Sequence, residues 1–253
     1  MTIFTALGNT ESRTDQSASY DWPRQALMDE IIRLEKFKRI PRHIGFIPDG
    51  NRRWAELRGW PKEKGYSFGI EPGLALLDLC RRLGVEEVSI YGFTQDNVQR
   101  PRKQVEAFCR ECAEFSRRAI AAGAAFMALG DVQSGVFPEE LRPYAGTRSD
   151  GDFKVTLLTN YSWEWDLKVA LDSARSGVAI SRRNVAAHLG SAAASRIELV
   201  VRWGGRQRLS GFLPCQSAYA DFFGIDTLWP DAQPEELLSA LRWYQKQDVT
   251  LGG

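Results

Sequence analysis

Histidine is nearly absent from this 253-residue chain, with His43 and His188 as the only two. That scarcity excludes a histidine-built metal cluster. Cysteine is sparse, at four residues. Cys109 and Cys112 form a C-x-x-C pair, but no second pair and no nearby histidine completes a zinc site. The pair lies in the amphipathic stretch from Gln104 to Phe115, so a core-facing role is expected. Cys80 and Cys215 also have apolar neighbours in sequence. An excess of one charge sign is lacking too: 33 Lys and Arg against 32 Asp and Glu leave +1, so no global field draws the chain to nucleic acid or membrane. No apolar run reaches the length of a transmembrane span. The N-terminus has neither the basic nor the apolar region of a secretion signal, and a cytoplasmic protein is expected.

What is present is an ordinary soluble balance, long enough for one large α/β domain. Residues 1–20 are polar and expected to be a disordered tail, leaving 21–253 as a single domain. A helix is predicted from Trp22 to Lys38 by Leu27, Ile31 and Leu34. Strands are predicted at Ile44–Ile47, Val88–Phe93, Ala124–Leu129, Phe153–Thr159 and, as the last, Glu198–Val201. Helices are predicted at Glu71–Leu83, Arg102–Ala121, Trp165–Ser176 and Pro234–Lys246, with a loop and a short helical turn over Val136–Gly151. Short apolar strands alternating with amphipathic helices predict a central parallel sheet flanked by helices. Ligands gather beyond the carboxyl ends of such strands.

Unusual residues cluster at those ends. The run from His43 to Trp54 stops a strand at Pro48 and continues Asp49-Gly50-Asn51-Arg52-Arg53. Asp49 is a hard oxygen ligand of the kind Mg²⁺ prefers. Gly50 lets backbone approach a phosphate, successive N–H groups form an anion nest, and Arg53 and Arg58 offer charge-assisted hydrogen bonds. The bland alternative is a simple Asp-Gly-Asn turn. After the strand predicted at Glu198–Val201, Arg202, Arg208 and Ser210 surround Gly204-Gly205. A second anion site competes there with a solvated basic loop, which the flanking apolar residues disfavour. Two phosphate sites in one pocket suggest two diphosphates, or a diphosphate and another anion.

The segments H-x-x-x-I-x-D-G-N-x-R-W, Y-G-F-T-x-D-N-x-x-R-P and R-W-G-G-x-x-R-L-S, with Leu228-Trp-Pro-Asp231 toward the end, resemble the cis-prenyltransferases typified by undecaprenyl diphosphate synthase. The likeness runs from His43 to Gly253. It implies a homodimer with a hydrophobic tunnel for the prenyl chain. It implies Mg²⁺ held at Asp49. An allylic diphosphate would be cradled by Gly50, Asn51, Arg52, Arg53 and Arg58, together with Lys62, Tyr66 and Arg100, with Asn97 near the reacting centre. Arg202, Arg208 and Ser210 match acceptor-diphosphate positions. Asp221 stands where a glutamate usually assists the metal, across the dimer.

The departures concern the acceptor. Arg206 replaces an acid, Tyr66 a histidine, Lys62 an arginine and Val98 a tryptophan. Trp203 replaces a small residue, and Trp163 and Trp165 stand where polar or glycine residues are usual, so all three and Arg206 are candidate acceptor contacts. For the two tryptophans at 163 and 165, a simple core-capping role is the alternative. The expected activity moves a prenyl group from dimethylallyl, geranyl or farnesyl diphosphate to a non-standard small-molecule acceptor. That acceptor is an aromatic specialised metabolite or a second allylic diphosphate. Ordinary elongation with isopentenyl diphosphate is the alternative, and a non-catalytic partner subunit is another, disfavoured by the intact Asp49-Gly50-Asn51.

Overall fold

The computed structural model describes Glu30 and residues 32–248. Residues 1–35 and 36–253 form two units. In the first, Glu30 and residues 32–34 are helical and the helix has ended by Glu35. The rest of the predicted N-terminal helix, like the predicted tail, lies outside the described residues.

The second unit is built on six strands: β1 (His43–Ile47), β2 (Glu87–Thr94), β3 (Ala124–Leu129), β4 (Phe153–Tyr161), β5 (Leu199–Arg202) and β6 (Asp221–Gly224). They pair in the order β3-β4-β2-β1-β5-β6, and every pairing is parallel. The strand predicted to be the last is therefore followed by another. β6 carries only Phe222-Phe223 as an apolar signal and sits at the sheet edge, so its pattern is short and weak.

Among the described residues six α-helices accompany the sheet: α1 (Asn51–Leu57), α2 (Lys64–Ser67), α3 (Ile70–Arg82), α4 (Arg102–Ala121), α5 (Trp163–Arg175) and α6 (Pro234–Tyr244). The bounds of α4 and β3 are those predicted. α5 begins two residues earlier than expected because Ser162 caps it, accepting the Trp165 N–H at 3.1 Å. α6 opens with Pro234 and a capping box between Gln233 and Glu236. α1 stands where the simple Asp-Gly-Asn turn was the alternative: Asn51 is helical, not part of a loop. Residues Glu139–Tyr144 supply the short helical turn, as a 3₁₀ segment.

Every residue of β1 is buried, as a central strand covered on both faces requires. Phe46 meets Trp203 and Trp229 on one face. Ile47 joins Leu129, Leu158, Tyr161, Ile197 and Phe212 on the other. From β1 the chain moves outward through β2 and β3. It crosses back to place β5 on the far side of β1. Strand order reverses between β1 and β5, and ligand sites form at such a switch point.

Candidate active site

Asp49 stands just past β1, beside that switch point. Its N–H bonds back to Ile47 O at 3.0 Å. Gly50 then takes φ 112, and a Cβ there would lie 2.8 Å from Leu228 Cδ2, so only glycine fits the turn. Trp54 N–H makes the first bond of α1, to Gly50 O at 2.9 Å. The N–H groups of the first helical turn precede it without intrahelical partners, which realises the expected nest as a helix start.

Both oxygens of Asp49 face cations. Oδ1 is 3.4 Å from Arg53 Nη2, and Oδ2 accepts from Arg202 Nη2 at 2.9 Å. Arg202 ends β5 and is nearly buried, its side chain 5% exposed. Its Nη1 donates to Ser210 Oγ at 2.8 Å and to the Arg208 carbonyl, while Nε has no partner. Arg53 also donates to Gly204 O at 2.7 Å. A Cβ on Gly204 would fall 2.7 Å from that Arg53 nitrogen and 2.8 Å from Asp49 O, so this glycine lets the two loops touch. The structure thus joins the two constellations that the sequence separates by about 150 residues.

A cleft of about 870 Å³ opens over this contact. Asp49, Gly50, Asn51, Arg52, Arg53, Lys62, Tyr66, Asn97 and Arg100 line one part, and Arg206 and Arg208 another. Arg100 donates to Tyr66 OH at 3.1 Å. Burial lowers its pKa from the usual arginine value, and the charge of Arg52 pulls the same way against Tyr66 and Asp49. An arginine held among like charges in a half-buried cleft favours an anion. Lys62 pairs with Glu56 at 2.8 Å.

The cleft shares Pro48, Asn51, Tyr66, Gly92 and Phe108 with an apolar pocket of about 510 Å³ between α3, α4 and the sheet. Ile70, Ile90, Cys112, Leu157 and Trp229 also line this pocket. Phe115 reaches it beside Gly73, where a Cβ would lie 3.0 Å from the Phe115 ring. A second space of about 650 Å³ follows farther along α3 and α4, lined by Leu74, Leu77, Ala119, Phe153 and Val155.

Several expected contacts are elsewhere. Arg58 does not line the cleft. Its guanidinium stacks 3.8 Å over Trp54 and pairs with Asp231 at 3.3 Å. Trp203 is fully buried, edge-on to Phe46 and Trp229, with Nε1 donating to Glu236 at 3.0 Å. It is a core residue, because side chains alternate along the chain past β5 and Arg202 already takes the cleft side. Trp165 packs against Tyr161 and Gly190 at the core, which is the capping role. Trp163 does lie by the arginine loop after β5, 47% exposed and against Gly211. Asp221 opens β6 in register with Leu199 and hence with Ile44, about 16 Å of strand before Asp49. One copy of the chain does not bring these two carboxylates to one ion. Cys215 is exposed, whereas Cys80 and Cys112 are buried.

Tyr91 is a cleft residue that the sequence did not single out. It donates to Ser210 O at 2.8 Å and packs on Phe212. Burial raises its pKa above the ordinary phenol value, with Asp96 and Glu164 adding to the shift. Its place in Tyr91-Gly-Phe-Thr, within the recognised segment, was the available signal. Phe108 was likewise hidden in α4, where periodicity marks it as apolar without showing a ligand pocket.

Among the described residues no group of three or more His, Cys, Asp or Glu gathers as a metal site. A divalent cation here would have Asp49 as its protein carboxylate and substrate phosphates for the rest. That donor set suits Mg²⁺, which binds through one or two carboxylates and phosphate oxygens. No helix among the described residues is long and apolar enough to cross a membrane.

The family model described as putative undecaprenyl diphosphate synthase matches residues 47–252. An isoprenyl transferase of Heliobacterium mobile is 30% identical, covering 97% of this chain and 96% of that protein. One from Clostridium perfringens is 30% identical over 89% of this chain and 94% of its own length. The crystal structure of lavandulyl diphosphate synthase from Lavandula x intermedia, in complex with dimethylallyl diphosphate, superposes with a TM-score of 0.75. It is 23% identical and covers 84% of this chain and 98% of that one, a likeness of fold. With the sheet, the Asp49 turn and the arginine loop in place, the chain belongs to the undecaprenyl diphosphate synthase family of cis-prenyltransferases and is a prenyltransferase.

Proposed function

We propose that the protein transfers a short prenyl group from an allylic diphosphate to a second isoprenoid diphosphate other than isopentenyl diphosphate, a second allylic diphosphate being favoured. One observation carries the second diphosphate of this reading: Arg202 spans from Asp49 to Ser210 beside a cleft that Arg206 and Arg208 line. Cations on both sides of one carboxylate suit two diphosphates better than one. The aromatic acceptor loses support, because Trp203 and Trp165 belong to the core and only Trp163 and Tyr91 remain beside the loop.

Arg52, Arg53 and Arg100, with the first N–H groups of α1, would hold the donor diphosphate as its C–O bond breaks. The bonding pair leaves with the diphosphate. The carbon left behind is allylic and cationic, and the acceptor's π bond attacks it with loss of a proton. The apolar pocket below keeps water from that carbon. Mg²⁺, which the family generally uses, would sit at Asp49 and neutralise charge on the departing diphosphate. A homodimer is part of the same reading, and it alone would let Asp221 assist the metal, from a partner chain.

The dimethylallyl diphosphate bound to the lavandulyl diphosphate synthase neighbour supports an allylic donor. The relatives named isoprenyl transferase, together with the intact Arg202 and Ser210, support the second reading, elongation with isopentenyl diphosphate. Incubation with labelled dimethylallyl, geranyl and farnesyl diphosphates, each with and without isopentenyl diphosphate, separates the two.

A further inference from the structure

Arg202 has two employers in this structure. Its Nη2 holds Asp49 Oδ2 at 2.9 Å, and its Nη1 holds Ser210 Oγ at 2.8 Å. The guanidinium is almost buried, and Nε has no partner. A buried, incompletely satisfied cation favours an incoming anion, yet its strongest partner is already a carboxylate of the same chain. Asp49 is also the carboxylate left for a cation, since Glu56, the other one lining the cleft, pairs with Lys62. The same Asp49 oxygen therefore cannot serve Arg202 and a metal equally well.

We propose that Arg202 couples the two halves of the site by exchange. Without an acceptor, Asp49 neutralises Arg202. An acceptor diphosphate entering beside Ser210 takes over the guanidinium and releases Asp49 Oδ2 for the cation that serves the donor. Anion and cation then bind cooperatively, and the donor half is complete only when the acceptor half is filled. Arg202 acts on the reaction through Asp49, as a positioning residue as well as an anion contact. Arg53, 3.4 Å from the other oxygen and bonded to Gly204 O, stays with Asp49 and keeps it aimed into the cleft.

The exchange rests on the diphosphate reading of this cleft, and a binding cycle separates the two. Inorganic diphosphate is titrated calorimetrically, in EDTA, into the wild-type chain and into Asp49→Asn, Arg202→Gln and the double variant. With no metal present, Asp49 is only a competitor for Arg202. Asp49→Asn should therefore bind diphosphate roughly three- to tenfold more tightly than wild type. In the Arg202→Gln background the same change should alter affinity by less than about twofold. An equal gain in both backgrounds would reflect simple charge repulsion and overturn the exchange, as would no gain at all. If wild type binds no diphosphate, the functional reading falls together with it. Circular dichroism checks each fold. Should Arg202→Gln fail to fold, Arg202→Lys replaces it, since one ammonium cannot hold Asp49 and Ser210 together. There the gain must fall below half of that in wild type, and an undiminished gain would overturn the exchange.

Discussion

One guanidinium, that of Arg202, reaches Asp49 at 2.9 Å and Ser210 at 2.8 Å, tying the turn after β1 to the loop after β5. Strand order reverses between these two strands, so the contact lies at the mouth of the crevice where a parallel sheet places its ligands.

Asp49 should be indispensable to turnover. Asp49→Ala leaves only Glu56, already paired with Lys62, among the carboxylates lining the cleft, and kcat is expected to fall by roughly a thousandfold or more. Steady-state assays at saturating Mg²⁺ check this. Near-normal, Mg²⁺-dependent activity would contradict it.

Two tryptophans should separate stability from specificity. Trp203→Ala empties a fully buried site and leaves Glu236 without its indole donor, at a cost of about 3–5 kcal/mol in urea unfolding. Trp163→Ala, at a half-exposed position against Gly211, should cost under about 1 kcal/mol while raising the KM for the acceptor severalfold. Equal effects of the two on stability would contradict the assignment.

Those tryptophans also show what the sequence could convey. The turn at Asp49 and the arginine loop were legible because strand-end glycines and charges have few structural explanations. Trp203 was not, although alternation offered a clue: with Arg202 facing the cleft, its neighbour must face away. Arg58 could not be placed from sequence, because a long side chain on α1 reaches either the cleft or Asp231, and stacking on Trp54 settles the choice. β6 was missed because four edge residues carry little periodicity. Asp221 matched a motif position, but only the strand register revealed its distance from Asp49.

Phe115 should limit the prenyl chain. It lines the 510 Å³ pocket beside Gly73, and a further 650 Å³ space lies farther along the same helices. Phe115→Ala is expected to shift products toward longer chains when longer allylic donors are offered, at a stability cost of about 3–5 kcal/mol. Product chromatography and urea melts read both outcomes. An unchanged product length in a folded variant would contradict the role.

His43 should make the fold acid-sensitive. Its Nδ1 lies 3.0 Å from Ser195 O, which only accepts, so Nδ1 carries the proton and Nε2 accepts from Ser89 at 2.9 Å. Burial lowers its pKa below the ordinary 6.5. Glu87, a backbone bond to Ser195 and Glu198 oppose the shift, and Arg148 adds to it. A depressed histidine pKa gives stability that is present above the unfolded value. That stability is lost as pH falls from about 6.5 through the folded value. Urea midpoints should therefore drop between pH 7.5 and 5.5, and less steeply in His43→Gln. Identical slopes would contradict this.

The most direct measurement is the product made from labelled dimethylallyl diphosphate, with and without isopentenyl diphosphate. Formation of a prenyl–prenyl diphosphate from dimethylallyl diphosphate alone, with diphosphate released, is the expected result. Efficient stepwise elongation that requires isopentenyl diphosphate, with no product in its absence, would contradict it.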